Sequence, residues 1–167
     1  PPLVIGLVAV LTGCVSTKQT GYLDIGNRVD FRQLVNQYGT PYGGTEKLHL
    51  VLYANSMAAN RLAHNVLTDF NPSCLKDGTV AFVGNVSAMP SFITRIVAVP
   101  KMRDYVYPVW LDYDGQATDN LPVQADQVSM IDVEDGRLTS IGYAFTEEGL
   151  STSVSRFCQQ DKASKIE

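Results

Sequence analysis

The run from Gln127 to Phe145 constrains this chain more than any other. It reads Gln-Val-Ser-Met-Ile-Asp-Val, then Glu-Asp-Gly-Arg, then Leu-Thr-Ser-Ile-Gly-Tyr-Ala-Phe. Two β-rich runs meet at Asp135-Gly136, where glycine supplies a positive φ without a Cβ clash, so the spacing predicts an antiparallel hairpin. A hairpin near the C-terminus needs a sheet to join, and the chain before it supplies one.

Leu48 to Ala54, Leu-His-Leu-Val-Leu-Tyr-Ala, is nearly continuous in apolar residues. Such a run fits a strand buried on both faces. Asn55 or Ser56 is placed to cap the helix that follows, in which Ala58, Ala59, Leu62, Ala63, Val66, Leu67 and Phe70 recur at helical spacing. Asn71-Pro72-Ser73 ends it, because proline has no N–H and restricts the residue before it. Thr79 to Val83 is a second buried strand. Ser87 and Pro90 open a short helix with a stripe of Phe92, Ile93, Ile96 and Val97, which must stop by Pro100. Tyr107 to Tyr113 is a third β-rich run, with Pro108 placing it at an edge or a strand end. After the hairpin, Thr146 caps a last helix, Glu147 and Glu148 favour its positive end, and Leu150, Val154, Phe157 and Cys158 form its buried stripe. Upstream, Gly26 to Tyr42 reads as a short helical or irregular segment closed by a turn at Gly39-Thr40-Pro41. Alternating strands and helices followed by a hairpin and a helix give an α/β sandwich around a mixed sheet, with helices on both faces.

With 167 residues, 45% of them hydrophobic, the chain is long enough to bury one proper core. Its net charge of -4 and scattered basic residues offer no stripe for a phosphate backbone, so nucleic acid is excluded as a partner. The three cysteines, Cys14, Cys74 and Cys158, stand far apart in sequence, which rules out a CxxC motif or a zinc knuckle. His49 and His64 have no carboxylate or thiolate partners in sequence and read as structural. Asp112, Asp114, Asp132, Glu134 and Asp135 read as turn acids, without the spacing of a calcium loop. No metal or cofactor is expected.

The first thirteen residues are uncharged and almost wholly apolar, and they end at Leu11-Thr12-Gly13-Cys14. The run is too short for a membrane-spanning helix but has the composition of an export-signal core. An apolar run closed by Leu, two small residues and Cys resembles the lipobox of bacterial lipoproteins. The resemblance implies lipid on the Cys14 thiol, cleavage before it, and anchoring through two or three acyl chains. Val15 and Ser16, in place of an aspartate, favour the outer membrane by the same resemblance. The expected organisation is thus a signal remnant at 1–13, a lipid-anchored tether at 14–25, a folded domain at 26–158 and a frayed tail at 159–167.

Within the domain, Asn36-Gln37-Tyr38-Gly39-Thr40-Pro41, Tyr107-Pro108-Val109-Trp110-Leu111-Asp112 with Asp114-Gly115, and Val128 to Asp132 with Asp135-Gly136-Arg137 resemble thioredoxin-like proteins of the peroxiredoxin and thiol-disulfide kind. That family carries its nucleophilic cysteine just after the first buried strand, where amide donors stabilise a thiolate. This sequence has Asn55-Ser56-Met57-Ala58-Ala59-Asn60-Arg61 there. The family's proline before the third buried strand would fall near Asp126 or Gln127 and is also absent. Ser56 reads as a cap rather than a substitute nucleophile.

The expectation from these departures is a lipid-anchored, periplasm-facing thioredoxin-like module without redox activity, which binds an envelope partner. The surface expected to make that contact is Asn55, Ser56, Met57, Asn60 and Arg61 with Gln124, Asp126 and Gln127. The resemblance also sets the helix after the first strand and the C-terminal helix on one face of the sheet, which makes Cys74 and Cys158 the candidates for a structural disulfide in an oxidising compartment. Two alternatives stand beside this reading: a thiol oxidoreductase that uses Cys74 and Cys158, and a structural subunit of an envelope complex.

Overall fold

The computed structural model describes residues 21–159. The apolar segment at 1–13, Cys14 and the tail from residue 160 lie outside the described residues. Six strands form one sheet: β1 Val35–Asn36, β2 Leu50–Ala54, β3 Val80–Asn85, β4 Val109–Asp112, β5 Val128–Glu134 and β6 Arg137–Ala144. Their order across the sheet is β1-β4-β3-β2-β5-β6. β2, β3 and β4 run parallel, whereas β1, β5 and β6 each pair antiparallel with a neighbour. The chain is therefore the mixed α/β sheet expected from the order of its elements.

The central strand shows why its sequence is unbroken in apolar residues. Leu50, Leu52 and Ala54 of β2 point into one core cluster, and Val51 and Tyr53 into the other. β3 divides in the same way, with Val80 and Phe82 on the first side and Ala81 and Val83 on the second. Both faces of these strands are covered, so alternation disappears. On the first face pack α1 Met57–Leu67, α2 Ser73–Lys76 and α5 Glu147–Val154, through Ala59, Ala63, Leu67, Leu75, Leu150 and Val154. On the second face the cover is irregular chain rather than helix: Val29, Phe31, Leu34 and Tyr42 from before β2, and Leu121 from before β5. The long N-terminal segment is thus a lid of loops over the sheet, tied to its edge by the two-residue strand β1.

The Asp135-Gly136 hinge holds, with φ of 51° and 72° at the two positions. Both are in the left-handed region that a two-residue turn of this hand requires. Ser56 caps α1, its Oγ accepting from the Ala59 N–H at 3.2 Å, and Thr146 caps α5, accepting from Gly149 at 3.2 Å.

The segment after β3 departs from its expected arrangement. It continues past Pro100, as α3 Ser91–Ile93, a wide π turn over Thr94–Ala98, and α4 Val99–Met102. The Val99 N–H bonds the Thr94 carbonyl, one residue further back than in an α-helix. That widening lets the helix accommodate a proline, which cannot bond back in any case. The apolar stripe does not face the core: Phe92, Ile96 and Val97 are 62%, 72% and 55% exposed. Thr94 is buried in their place, its hydroxyl donating to the Pro90 carbonyl at 3.3 Å.

Candidate functional site

Cys74 and Cys158 are joined. Their Cα atoms are 5.4 Å apart, and 84 positions separate them in the chain. Cys74 lies in the short helix α2 that follows Asn71-Pro72, and Cys158 in the turn that ends α5. α1 stops at Leu67, ahead of the expected break at Asn71-Pro72-Ser73, and a turn through Phe70 leads to Pro72 and α2, while α5 runs out at Ser155; both thiols therefore arrive at the same margin of the first face. They are 5% and 4% exposed and belong to the first core cluster, with Phe70, Leu75 and Val154.

The turn that carries Cys158 is held at three points. The Asn71 N–H donates to the Gln159 carbonyl at 2.8 Å. Arg156 forks onto both carboxylate oxygens of Asp132, at 2.8 and 3.1 Å, and its guanidinium sits 5.1 Å from the Phe157 ring centre. That ion pair raises the Arg156 pKa, chiefly through its hydrogen bonds with Asp132. Phe157 in turn stacks on His49, with ring centres 5.8 Å apart and planes within 4°. His49 is accordingly a stacking partner beside the bridge, consistent with its structural reading.

The surface around α1 lies elsewhere. β2 runs from Leu50 to Ala54, and its register pairs Leu50 with Val80 and Asp132, but Ala54 with Gly84 and Tyr53 with Ser129. Asn55, Ser56 and Met57 follow the Ala54 end, and Gln124, Asp126 and Gln127 precede β5 at that same end. Asp132, tied to Arg156, belongs to the Leu50 end. The disulfide and the start of α1 are thus at opposite ends of the sheet, separated by the length of β2, about 13 Å at the usual rise per residue.

The residues expected at the α1 surface do gather there. Met57 is exposed, as are Asn55, Arg61, Gln124 and Asp126. Two pairs among them are bonded to each other. The Asn60 amide donates to the Ser56 carbonyl at 2.9 Å, and Gln127 donates to the Gln124 side-chain oxygen at 3.1 Å. Asp126 holds a left-handed φ of 58° just before β5. Ser56 is a helix cap, with no histidine among its hydrogen-bond partners.

Asp112, His64 and Tyr107 have structural partners. Buried Asp112 accepts from the N–H groups of Gly115 and Thr118, both at 2.9 Å, and from the Thr118 hydroxyl at 2.8 Å. It is a turn acid, as its place beside Asp114-Gly115 suggested. His64 Nδ1 lies 2.8 Å from the Tyr107 hydroxyl, and its ring stacks on Tyr105 with centres 4.1 Å apart. Burial, and then the charge of Lys101, lower the His64 pKa, while burial pushes that of Tyr107 upward. Among the described residues, no group of three or more His, Cys, Asp or Glu side chains is arranged to hold a metal ion. A cleft of about 190 Å³ lies on the second face, lined by Arg28, Asp30, Gln33 and Gln116 among others.

No protein-family model and no curated protein matches the chain. Solved structures do. One from Bacteroides thetaiotaomicron, described as a putative protein disulfide isomerase, superposes with a TM-score of 0.53 at 15% identity, covering 81% of this chain and 89% of that one. A putative thiol:disulfide interchange protein DsbE from Chlorobium tepidum gives 0.54 at 11% identity, over 80% and 97%. A PrxQ variant from Xylella fastidiosa gives 0.50 at 8% identity, over 81% and 98%. These likenesses establish a thioredoxin-like fold. They also correct the expectation of a module without redox activity. The two thiols which that reading left as a structural staple form a bonded pair, on a fold shared with chains described as thiol-disulfide proteins. The findings favour the oxidoreductase alternative.

Proposed function

We propose that this chain is a thiol-disulfide oxidoreductase whose redox pair is Cys74 and Cys158. The observation that carries this reading is the bond between the two thiols on this fold. It is supported by the descriptions of the fold neighbours and by the absence of any cysteine at the start of α1, where Ser56 caps and Met57 follows. The exchange site is displaced from the family's usual position to the other end of the sheet.

In the reducing direction, the dithiol form gives up a proton from one cysteine. The resulting thiolate attacks a substrate disulfide, forming a mixed disulfide and releasing one substrate thiol. The second cysteine, as thiolate, attacks the mixed bond, restores the Cys74–Cys158 disulfide and frees the other substrate thiol. Two electrons and two protons pass to the substrate. Because both sulfurs are covered, the turn at 155–159 moves aside before either is attacked. The substrate class is a protein disulfide in an oxidising compartment, and anchoring through lipid at Cys14, in the outer membrane, would hold the domain facing the periplasm. Among the described residues no helix is long and apolar enough to cross a membrane.

Trapping tests this reading. Cys158→Ser, reduced and offered an oxidised protein substrate, is expected to accumulate a mixed disulfide at Cys74 that dithiothreitol releases. If neither Cys158→Ser nor Cys74→Ser forms an adduct while remaining folded, the proposal fails.

A further inference from the structure

The helical segment over 91–103 is inverted: a threonine is inside and the large apolar side chains are outside. Phe92, Ile96 and Val97 stand in solvent, and Val106 just beyond is 56% exposed. Arg95, Lys101 and Arg103 are exposed among them. From Val86 to Val106 there are three basic residues and one acidic one, Asp104, in a chain whose net charge is -4. Tyr113 lies within electrostatic reach of both Arg95 and Arg103, and the Tyr38 hydroxyl donates to the Arg103 carbonyl at 2.9 Å. Apolar anchors, cations and tyrosines thus share one surface.

This inversion is held in place by the fold. Thr94 stays inside because its hydroxyl has the Pro90 carbonyl as a partner, and Val99 packs into the first core cluster behind it. Turning Phe92 and Ile96 inward would expose Val99 and break that bond. A surface of this composition is disfavoured in water and suited to a membrane interface, where apolar side chains enter the acyl boundary and cations meet headgroup phosphates.

We infer that the segment 91–103 is a membrane-surface contact that lies on the headgroup layer of an anionic bilayer. The occupant is lipid rather than protein because three cations stand here against the single acid Asp104, opposite in sign to the rest of the chain, and are interleaved with side chains of the kind that partition at interfaces. The contact is separate from any acyl chain and from the disulfide.

Sedimentation of the full chain with vesicles tests it, with the fold of each variant followed by circular dichroism. Wild-type protein is expected to bind vesicles of phosphatidylcholine mixed with phosphatidylglycerol, to bind phosphatidylcholine alone far less, and to be released by salt. Arg95→Gln should lower the partition coefficient roughly fivefold, the equivalent of one cation at the surface. Ile96→Asp should lower it further, and Phe92→Ser likewise. All of these proteins carry Cys14→Ser, so no acyl chain holds them on the vesicles, and residues 1–13 are the same in each, so the differences report on the helix. Equal binding by wild type and Ile96→Asp overturns the inference. So does light scattering, without lipid, that shows a wild-type dimer dissociated by Ile96→Asp, since that would make the face an interface between copies.

Discussion

Replacing both Cys74 and Cys158 with alanine removes the bond that closes the largest part of the fold. The 84-position separation spans β3, the inverted helix, β4 and the whole hairpin. The chain-entropy relation assigns a loop of this size about 4.6 kcal/mol at 25 °C. For a domain of this length that corresponds to a fall in Tm of about 15 °C. Urea titration followed by Trp110 fluorescence reads it, and the slope should rise because the opened denatured state is less compact. The same free energy acts in the other direction: if the bridge stabilises the fold, the fold stabilises the bridge against reduction by an equal amount. At about 30 mV for each 1.4 kcal/mol, the native pair should be about 100 mV more reducing than the same pair in denaturant. The dithiol would therefore serve as a donor of electrons rather than as an oxidant. A stability difference below about 1 kcal/mol, or equal potentials in the native and denatured chains, would refute this reasoning.

Four further outcomes follow from particular contacts. Arg156→Ala loosens the turn over the disulfide and should speed its reduction by dithiothreitol by up to about fivefold, the worth of a partly exposed ion pair, as measured by timed alkylation. Ser56→Ala should cost about 1 kcal/mol through the lost cap and leave thiol exchange unchanged, which separates a cap from a nucleophile. Asp112→Ala strands two buried donors of Thr118 and the part-buried Gly115 N–H and should cost about 3 kcal/mol in the same urea titration. His64 is held below its ordinary pKa of 6.5, so the unfolded chain binds the proton first. Its contribution is present above that pKa and lost as pH falls below it, and His64→Gln should flatten the pH dependence of the urea midpoint there.

The parts of the fold legible in the sequence are those where one physical cause dominates. β2 and β3 are covered on both faces and write themselves as continuous apolar runs. The hairpin is fixed by a dipeptide that tolerates positive φ. The caps at Ser56 and Thr146 are set by short oxygen-bearing side chains. Other features depended on distant partners. β1 is two residues long and exists only because β4 offers an edge. The cover over the second face has no periodicity to read, since Val29, Phe31, Leu34 and Tyr42 approach the sheet from irregular chain. The stripe at Phe92, Ile96 and Val97 was legible as helix but not as outward-facing. The π turn shifts the phase by one residue, and a hydrogen bond to the Pro90 carbonyl lets Thr94 take the core position.

The candidate site was legible in its members and not in its placement. The pairing of Cys74 with Cys158 follows from having the two helices on one face, as the fold resemblance implied. That the pair lies at the opposite end of the sheet from Ser56 and Gln127 follows only from strand register, in which Leu50 meets Asp132 and Tyr53 meets Ser129.

The account turns on whether the Cys74–Cys158 bond passes electrons to another protein while the domain stays folded. The direct measurement is turbidity from the reduction of insulin by dithiothreitol, with and without this protein. Catalysis is expected with the wild-type chain and not with Cys74→Ser or Cys158→Ser, each confirmed as folded. No acceleration by the wild-type chain, with the bridge still oxidised after the reaction, would contradict the oxidoreductase reading.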